Sequence, residues 1–297
     1  MKVIVAENSG VCFGVRRALD LLEESVKTAE LEKRKAVMLG PLIHNPRVVE
    51  HYASIGVEVR DTENIPESCI VVVRSHGITL DAENKLGKIQ GLTVVDTTCP
   101  YVKRIHQLVE KKSSGGYAVI VMGDKDHSEV QGITSRIKGH FLVVSPAEVL
   151  QKWSEVEGFI TEHKKIYCVA QTTSRPANYD NMLRKIRKFI EQKKENIFES
   201  AQTICNATFS RQDSARELAT RVDAMIVLGG MNSSNTMKLF QVVKEKNGRS
   251  YMVESVDDFT EEMLNELKKC SVAGLTAGAS TPDDQILEMK NFLESLK

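Results

Sequence analysis

Short β-branched apolar runs recur along the whole chain, at residues 3–5, 36–39, 70–73, 94–95, 119–122, 141–144, 166–170, 225–228 and 272–275. Runs this short, apolar on successive residues, read as strands buried on both faces, as in parallel sheets. Between many of them apolar residues return at helical spacing, as in Val15, Leu19, Leu22 and Val26, then Val102, Ile105 and Leu108, then Leu218 and Val222. Strand alternating with helix predicts the α/β class with mainly parallel sheets.

The strand ends fall into three classes. One is a strand followed by a cysteine and a helix, in ENSGVCFGVRRAL, VVDTTCPYVKRI and SAQTICNATFSRQ. A second is strand, glycine and polar loop, in VMLGPLIHN, VIVMGDKDHSEV and MIVLGGMNSSNT. A third ends in small polar residues, in VVVRSHG, YCVAQTTS and GLTAGAS. The classes repeat three times in one order, with Cys12, Cys99 and Cys205 spaced 87 and 106 residues apart. A period of that size is a domain-sized unit, not a solenoid repeat. The expectation is three similar α/β units around a shared centre, at about 1–98, 99–203 and 204–297. The Lys-rich EQKKEN at 191–196 reads as a solvated helix face.

Composition narrows the function classes. A chain of 297 residues with 40 basic and 40 acidic side chains has no net field to draw it to nucleic acid or a membrane. MKVIVAENSG lacks a signal-peptide apolar core and no run is long enough to span a bilayer, so a cytoplasmic protein is expected. Six cysteines in a reducing compartment point to packing, metal binding or catalysis, not to disulfides.

In open parallel sheets ligands sit beyond the carboxyl ends of the strands, where all nine loops would lie. Cys12, Cys99 and Cys205 each open a predicted helix, where unpaired amides and the dipole favour the thiolate that binds metal. Cys69, Cys168 and Cys270 lie in or beside apolar runs and read as packing residues. Three thiolates without an equivalent fourth suit an iron-sulfur cluster with one iron open to substrate; zinc is the alternative, without a close C-x-x-C pair to support it.

The other two loop classes supply His44, His76 and His127, with Glu129 beyond the last, and Ser233, Ser234, Asn235 and Ser280. Histidines, hydroxyls and helix N-termini in one place make an anion site, most naturally for phosphate. No Walker A or G-x-G-x-x-G sequence supports a nucleotide. His51, His106, His140 and His163 read as packing or surface residues.

GVCFGVRRA, LIHN, SHG, DTTCPYV, HSEV, QTTS, ICNAT, NSSN and TAGAS, in that order, resemble the 4-hydroxy-3-methylbut-2-enyl diphosphate reductase (LytB) family of the non-mevalonate isoprenoid pathway. The resemblance implies a trefoil of three α/β units about a [4Fe-4S] cluster on Cys12, Cys99 and Cys205. It implies diphosphate binding by His44, His76, Ser233, Asn235 and Ser280, with His127 and Ser234 in the same pocket. Glu129 matches the residue for proton delivery, and Thr172 a hydroxyl beside the reacting end of the substrate. The implied reaction removes the allylic hydroxyl with two electrons and two protons, drawing on ferredoxin or flavodoxin. Phe13 and Ser128 depart from the family pattern, where a small residue and a proline are usual. Two other readings stay open: a non-catalytic cluster or phosphate sensor, and a zinc-dependent hydrolase built from the same thiolates and histidines.

Overall fold

A central strand with helices on both faces must be apolar throughout, and runs such as IVVV and AVIVM meet that condition. In the computed structural model, which describes residues 1–43, 45–145, 153–191 and 196–296 and of Ser234 only the backbone, they lie inside parallel sheets. The described strands are β1 (Lys2–Val5), β2 (Ala36–Leu39), β3 (Glu58–Arg60), β4 (Ile70–Val73), β5 (Thr93–Asp96) and β6 (Ala118–Met122). They continue with β7 (Phe141–Val144), β8 (Lys165–Ala170), β9 (Ile197–Ser200), β10 (Ala224–Leu228), β11 (Ser250–Val253) and β12 (Val272–Ala277). Residues 192–195 of the Lys-rich stretch fall outside the described set.

Three four-stranded sheets result, ordered β3-β2-β4-β5, β7-β6-β8-β9 and β11-β10-β12-β1, with every pairing parallel. The three orders are one order repeated. In each sheet the two central strands lead into the glycine loop and the small-polar loop, and an edge strand leads to the cysteine. The expected α/β class with three parallel-sheet units is therefore what the chain adopts. The sheet of β10 to β12 takes its fourth strand from the N-terminus: β1 pairs with β12 in the register Val3↔Ala273 and Val5↔Leu275. β3, β9 and β11, absent from the apolar pattern, are the outer strands EVR, IFES and SYMV, whose outward residues need not be apolar.

Alternation along the central strands feeds two cores. Ile120, Met122, Ile166 and Cys168 join one cluster with Tyr179 and Met182, while Val119, Val121, Tyr167 and Val169 join another with Ile105 and Ile133. Ile226 and Leu228 likewise separate from Met225 and Val227. Each fully buried aliphatic side chain contributes roughly 1.5–3 kcal/mol. The chain divides into two compact units: Met1–Asp20, Pro41–Val57 and Asn206–Lys297 hold the sheet of β1, β10, β11 and β12, and Leu21–Gly40 with Glu58–Cys205 hold the other two sheets. Among the described residues no helix is long and apolar enough to cross a membrane.

Candidate functional site

The three cysteines occupy one structural position three times. Cys99 caps the helix Pro100–Ser114, Cys12 directly precedes Phe13–Leu31 and Cys205 directly precedes Asn206–Ala219. Their backbone N–H groups donate to Ser75 (2.9 Å, from Cys99), Thr172 (2.9 Å, from Cys205) and Ala279 (3.4 Å, from Cys12). Each acceptor carbonyl belongs to the second residue past β4, β8 or β12. None of the six cysteines is in a disulfide, and these three are partly exposed while Cys69, Cys168 and Cys270 are buried in hydrophobic clusters. Burial pushes the Cys69 and Cys168 thiols up, away from the thiolate. Among the described residues no three His, Cys, Asp or Glu side chains form a group suited to a single metal ion. A cluster makes a different demand, since each cysteine ligates its own iron.

In the unit built on Glu58–Cys205, contacts run without a break from Cys99 to Cys205. Cys99 is bonded to Ser75, whose neighbour His76 meets His127 edge to face with ring centroids 5.6 Å apart. His127 is the N-cap of the helix Ser128–Thr134, and its Nδ1 accepts the Glu129 N–H at 3.1 Å. Glu129, 1% exposed, receives the Thr172 N–H on Oε1 at 2.7 Å and the Thr172 hydroxyl on Oε2 at 2.8 Å. Thr172 in turn accepts from Cys205. A carboxylate buried this deeply is tolerated only where donors replace its water, and Thr172 supplies two. Gly123 lets this helix close on β6: a Cβ there would stand 2.8 Å from Val130 and 3.0 Å from Gln171.

In the unit containing Pro41–Val57 and Asn206–Lys297, the corresponding loops carry hydroxyls and amides. Ser233 caps the helix Ser234–Lys244, its Oγ accepting the Thr236 N–H at 3.3 Å. The Asn235 Nδ2 is buried without a hydrogen-bond partner among the described residues, a donor left for a ligand. Asn45 caps the helix Pro46–Ser54, and its Nδ2 donates to the Ser280 carbonyl at 2.8 Å. Ser280 itself is 7% exposed and follows the Ala279 that accepts from Cys12. A cleft of about 320 Å³, lined in part by Ile43, Asn45, Gly230, Asn232 and Ser233, opens beside them. Thr236 is wholly buried between two glycine loops, and a Cβ on Gly278 would come within 2.2 Å of its hydroxyl oxygen.

His76, His127, Glu129 and Thr172 thus stand together in one unit, and Ser233, Asn235 and Ser280 share the other. His44 lies outside the described residues, as does the Ser234 side chain. Asn45 and Ser75 were not singled out by sequence. Asn45 had a readable signal, an Asn directly before a Pro, which marks a helix N-cap. Ser75 had none beyond its place before His76. Of the two departures, Ser128 is the first residue of its helix, where a proline would lose no hydrogen bond, and Phe13 is 67% exposed.

The sequence pattern of the family described as LytB protein matches residues 3–294. Among curated proteins, the chain is 37% identical to 4-hydroxy-3-methylbut-2-enyl diphosphate reductase of Aquifex aeolicus (strain VF5), covering 99% of this chain and 96% of that protein. It is 39% identical to the protein of the same name from Clostridioides difficile (strain 630), covering all of both. The solved structure of (E)-4-hydroxy-3-methyl-but-2-enyl diphosphate reductase, described as the terminal enzyme of the non-mevalonate pathway, superposes with a TM-score of 0.73 at 37% identity over 99% of each chain. The structure of E-1-hydroxy-2-methyl-but-2-enyl-4-diphosphate reductase from Plasmodium falciparum gives 0.78 at 26% identity, over 98% of this chain and 87% of the other.

Proposed function

The chain belongs to the LytB protein family, and we propose that it reduces 4-hydroxy-3-methylbut-2-enyl diphosphate to isopentenyl and dimethylallyl diphosphates. In the balanced reaction two electrons and two protons enter, the allylic C–O bond breaks, a C–H bond forms and water leaves. The observation that carries this reading is the buried carboxylate of Glu129, clasped by Thr172 on the same stretch of chain that reaches from Cys99 to Cys205.

Cys12, Cys99 and Cys205 are the ligands of a [4Fe-4S] cluster in this reading. Their donor set fits: three partly exposed thiols at equivalent helix starts, distinct from three thiols sealed in cores. When bound, the cluster supplies electrons and an iron without a protein ligand that polarises the departing oxygen. Glu129 relays a proton to the hydroxyl as it leaves, since hydroxide is a poor leaving group. Thr172 fixes both carboxylate oxygens and places its own hydroxyl at that end of the substrate.

His44, His76, His127, Ser233, Ser234, Asn235 and Ser280 bind the diphosphate. The Asn235 Nδ2, without a partner among the described residues, and the Ser233 helix N-terminus are donors suited to phosphate oxygens. A ferredoxin- or flavodoxin-type protein supplies the electrons, in the cytoplasm. Anaerobic purification tests the cofactor assignment against zinc: matching iron and acid-labile sulfide support it, and a colourless zinc-loaded protein overturns it.

A further inference from the structure

His106 lies two turns beyond Cys99 on the helix Pro100–Ser114, with only 6% of its surface exposed. Its Cε1 stands 3.1 Å from the point where a Cβ on Gly77 would lie, and its Nε2 stands 3.3 Å from the corresponding point on Gly132. Gly77 follows His76 and turns its loop at φ +78°, a conformation that favours glycine. Gly132 belongs to the helix Ser128–Thr134, which is capped by His127 and carries Glu129. The same two elements are tied where Leu80 N–H donates to the Ser135 hydroxyl at 3.0 Å, and that hydroxyl donates to the Gly132 carbonyl at 2.8 Å.

We propose that His106 is a positioning residue whose ring is the spacer between the loop bearing His76 and the helix bearing His127 and Glu129. Its shape matters here more than its polarity, because Nε2 has no hydrogen-bond partner among the described residues. Burial, with Arg136 nearby, pushes its pKa down to about 4, so the ring is neutral at physiological pH. An unsatisfied buried nitrogen is a cost that an apolar side chain would not carry, so stability alone does not account for a histidine here. The ring also borders a cleft of about 450 Å³ lined in part by Val73, Leu86, Val94 and Lys103. Space left by a smaller side chain would join that cleft and leave the two glycine elements without their spacer.

The proposal rests on the assignment of His76 and His127 to diphosphate binding. Calorimetric binding of inorganic diphosphate to the anaerobic holoprotein tests it, alongside steady-state turnover. His106→Ala should raise the Kd by about tenfold or more, since small misplacements of binding groups carry such losses. KM should rise more than kcat falls, with iron content unchanged. Gly132→Ala, which drives a methyl toward the ring, should give a similar defect, and combining the two should recover part of the affinity. If His106→Ala does not fold, His106→Leu and Gly132→Ala carry the same comparison. Wild-type affinity in the single variants, or a double variant no better than the weaker single, would overturn the proposal. Failure of the wild-type holoprotein itself to bind diphosphate would instead overturn the diphosphate assignment, and the spacer role with it.

Discussion

Replacing Glu129 by glutamine exchanges one carboxylate oxygen for an amide nitrogen, and two of the groups that would feel it are on Thr172. The backbone N–H of Thr172 can only donate, so the retained Gln oxygen must face it. The new NH₂ then faces the Thr172 hydroxyl, which can rotate from donor to acceptor. The side chain therefore keeps its place, and the loss is the charge-assisted part of these bonds, about 1–2 kcal/mol. For a chain of this size that corresponds to a fall in Tm of no more than about 5 °C. The proton lost from the site is a larger matter, since general acid catalysis contributes typically 10²- to 10⁴-fold. Glu129→Gln should thus retain its cluster and bind substrate, while kcat in anaerobic turnover with a chemical electron donor falls by about 10²-fold or more. A variant with full cluster content and kcat within about threefold of wild type would refute Glu129 as the principal proton route.

Other outcomes follow from the same structure. Asn45→Ala removes a helix cap and the bond to the Ser280 carbonyl, and should cost about 1–2 kcal/mol in urea unfolding while raising KM. Gly278→Ala forces a methyl onto the buried Thr236 hydroxyl and should destabilise the protein by about 1–3 kcal/mol by the same assay. Cys69→Ala should leave iron content unchanged, whereas Cys99→Ala should lower it; a fall in both would undo the sorting of the cysteines. His106, with its pKa lowered from 6.5 to about 4 in the fold, binds fewer protons folded than unfolded between those values. Its contribution is complete above pH 6.5 and lost as pH falls toward 4, a loss of about 3 kcal/mol that His106→Leu should lack in pH-dependent unfolding.

The threefold order of cysteine, glycine and small-polar loops was legible because the glycine and small-polar loops follow apolar central strands, and such strands announce themselves by β-branched runs. The strands EVR, IFES and SYMV were not, because an edge strand can carry polar residues without cost to the core. The partner of β1 was equally hidden: residues 3–5 read as the start of the first unit, yet any of three similar sheets could accept that short strand, and only pairing with β12 identifies which. Among site residues, Cys12, Cys99 and Cys205 separated from the other cysteines by their repeated surroundings alone, and in the fold these three are the partly exposed ones. His106 read as an ordinary packing histidine. Two of its close approaches are to glycines distant in sequence, and a close approach to a glycine leaves no side-chain pattern along the chain.

Reductive removal of an allylic hydroxyl can be followed in anaerobic turnover of 4-hydroxy-3-methylbut-2-enyl diphosphate by the holoprotein with a chemical reductant, products being resolved by chromatography. The expected products are isopentenyl and dimethylallyl diphosphates, formed with two electrons consumed per molecule. A protein carrying its full complement of iron and sulfide that binds the substrate and releases neither product would contradict it.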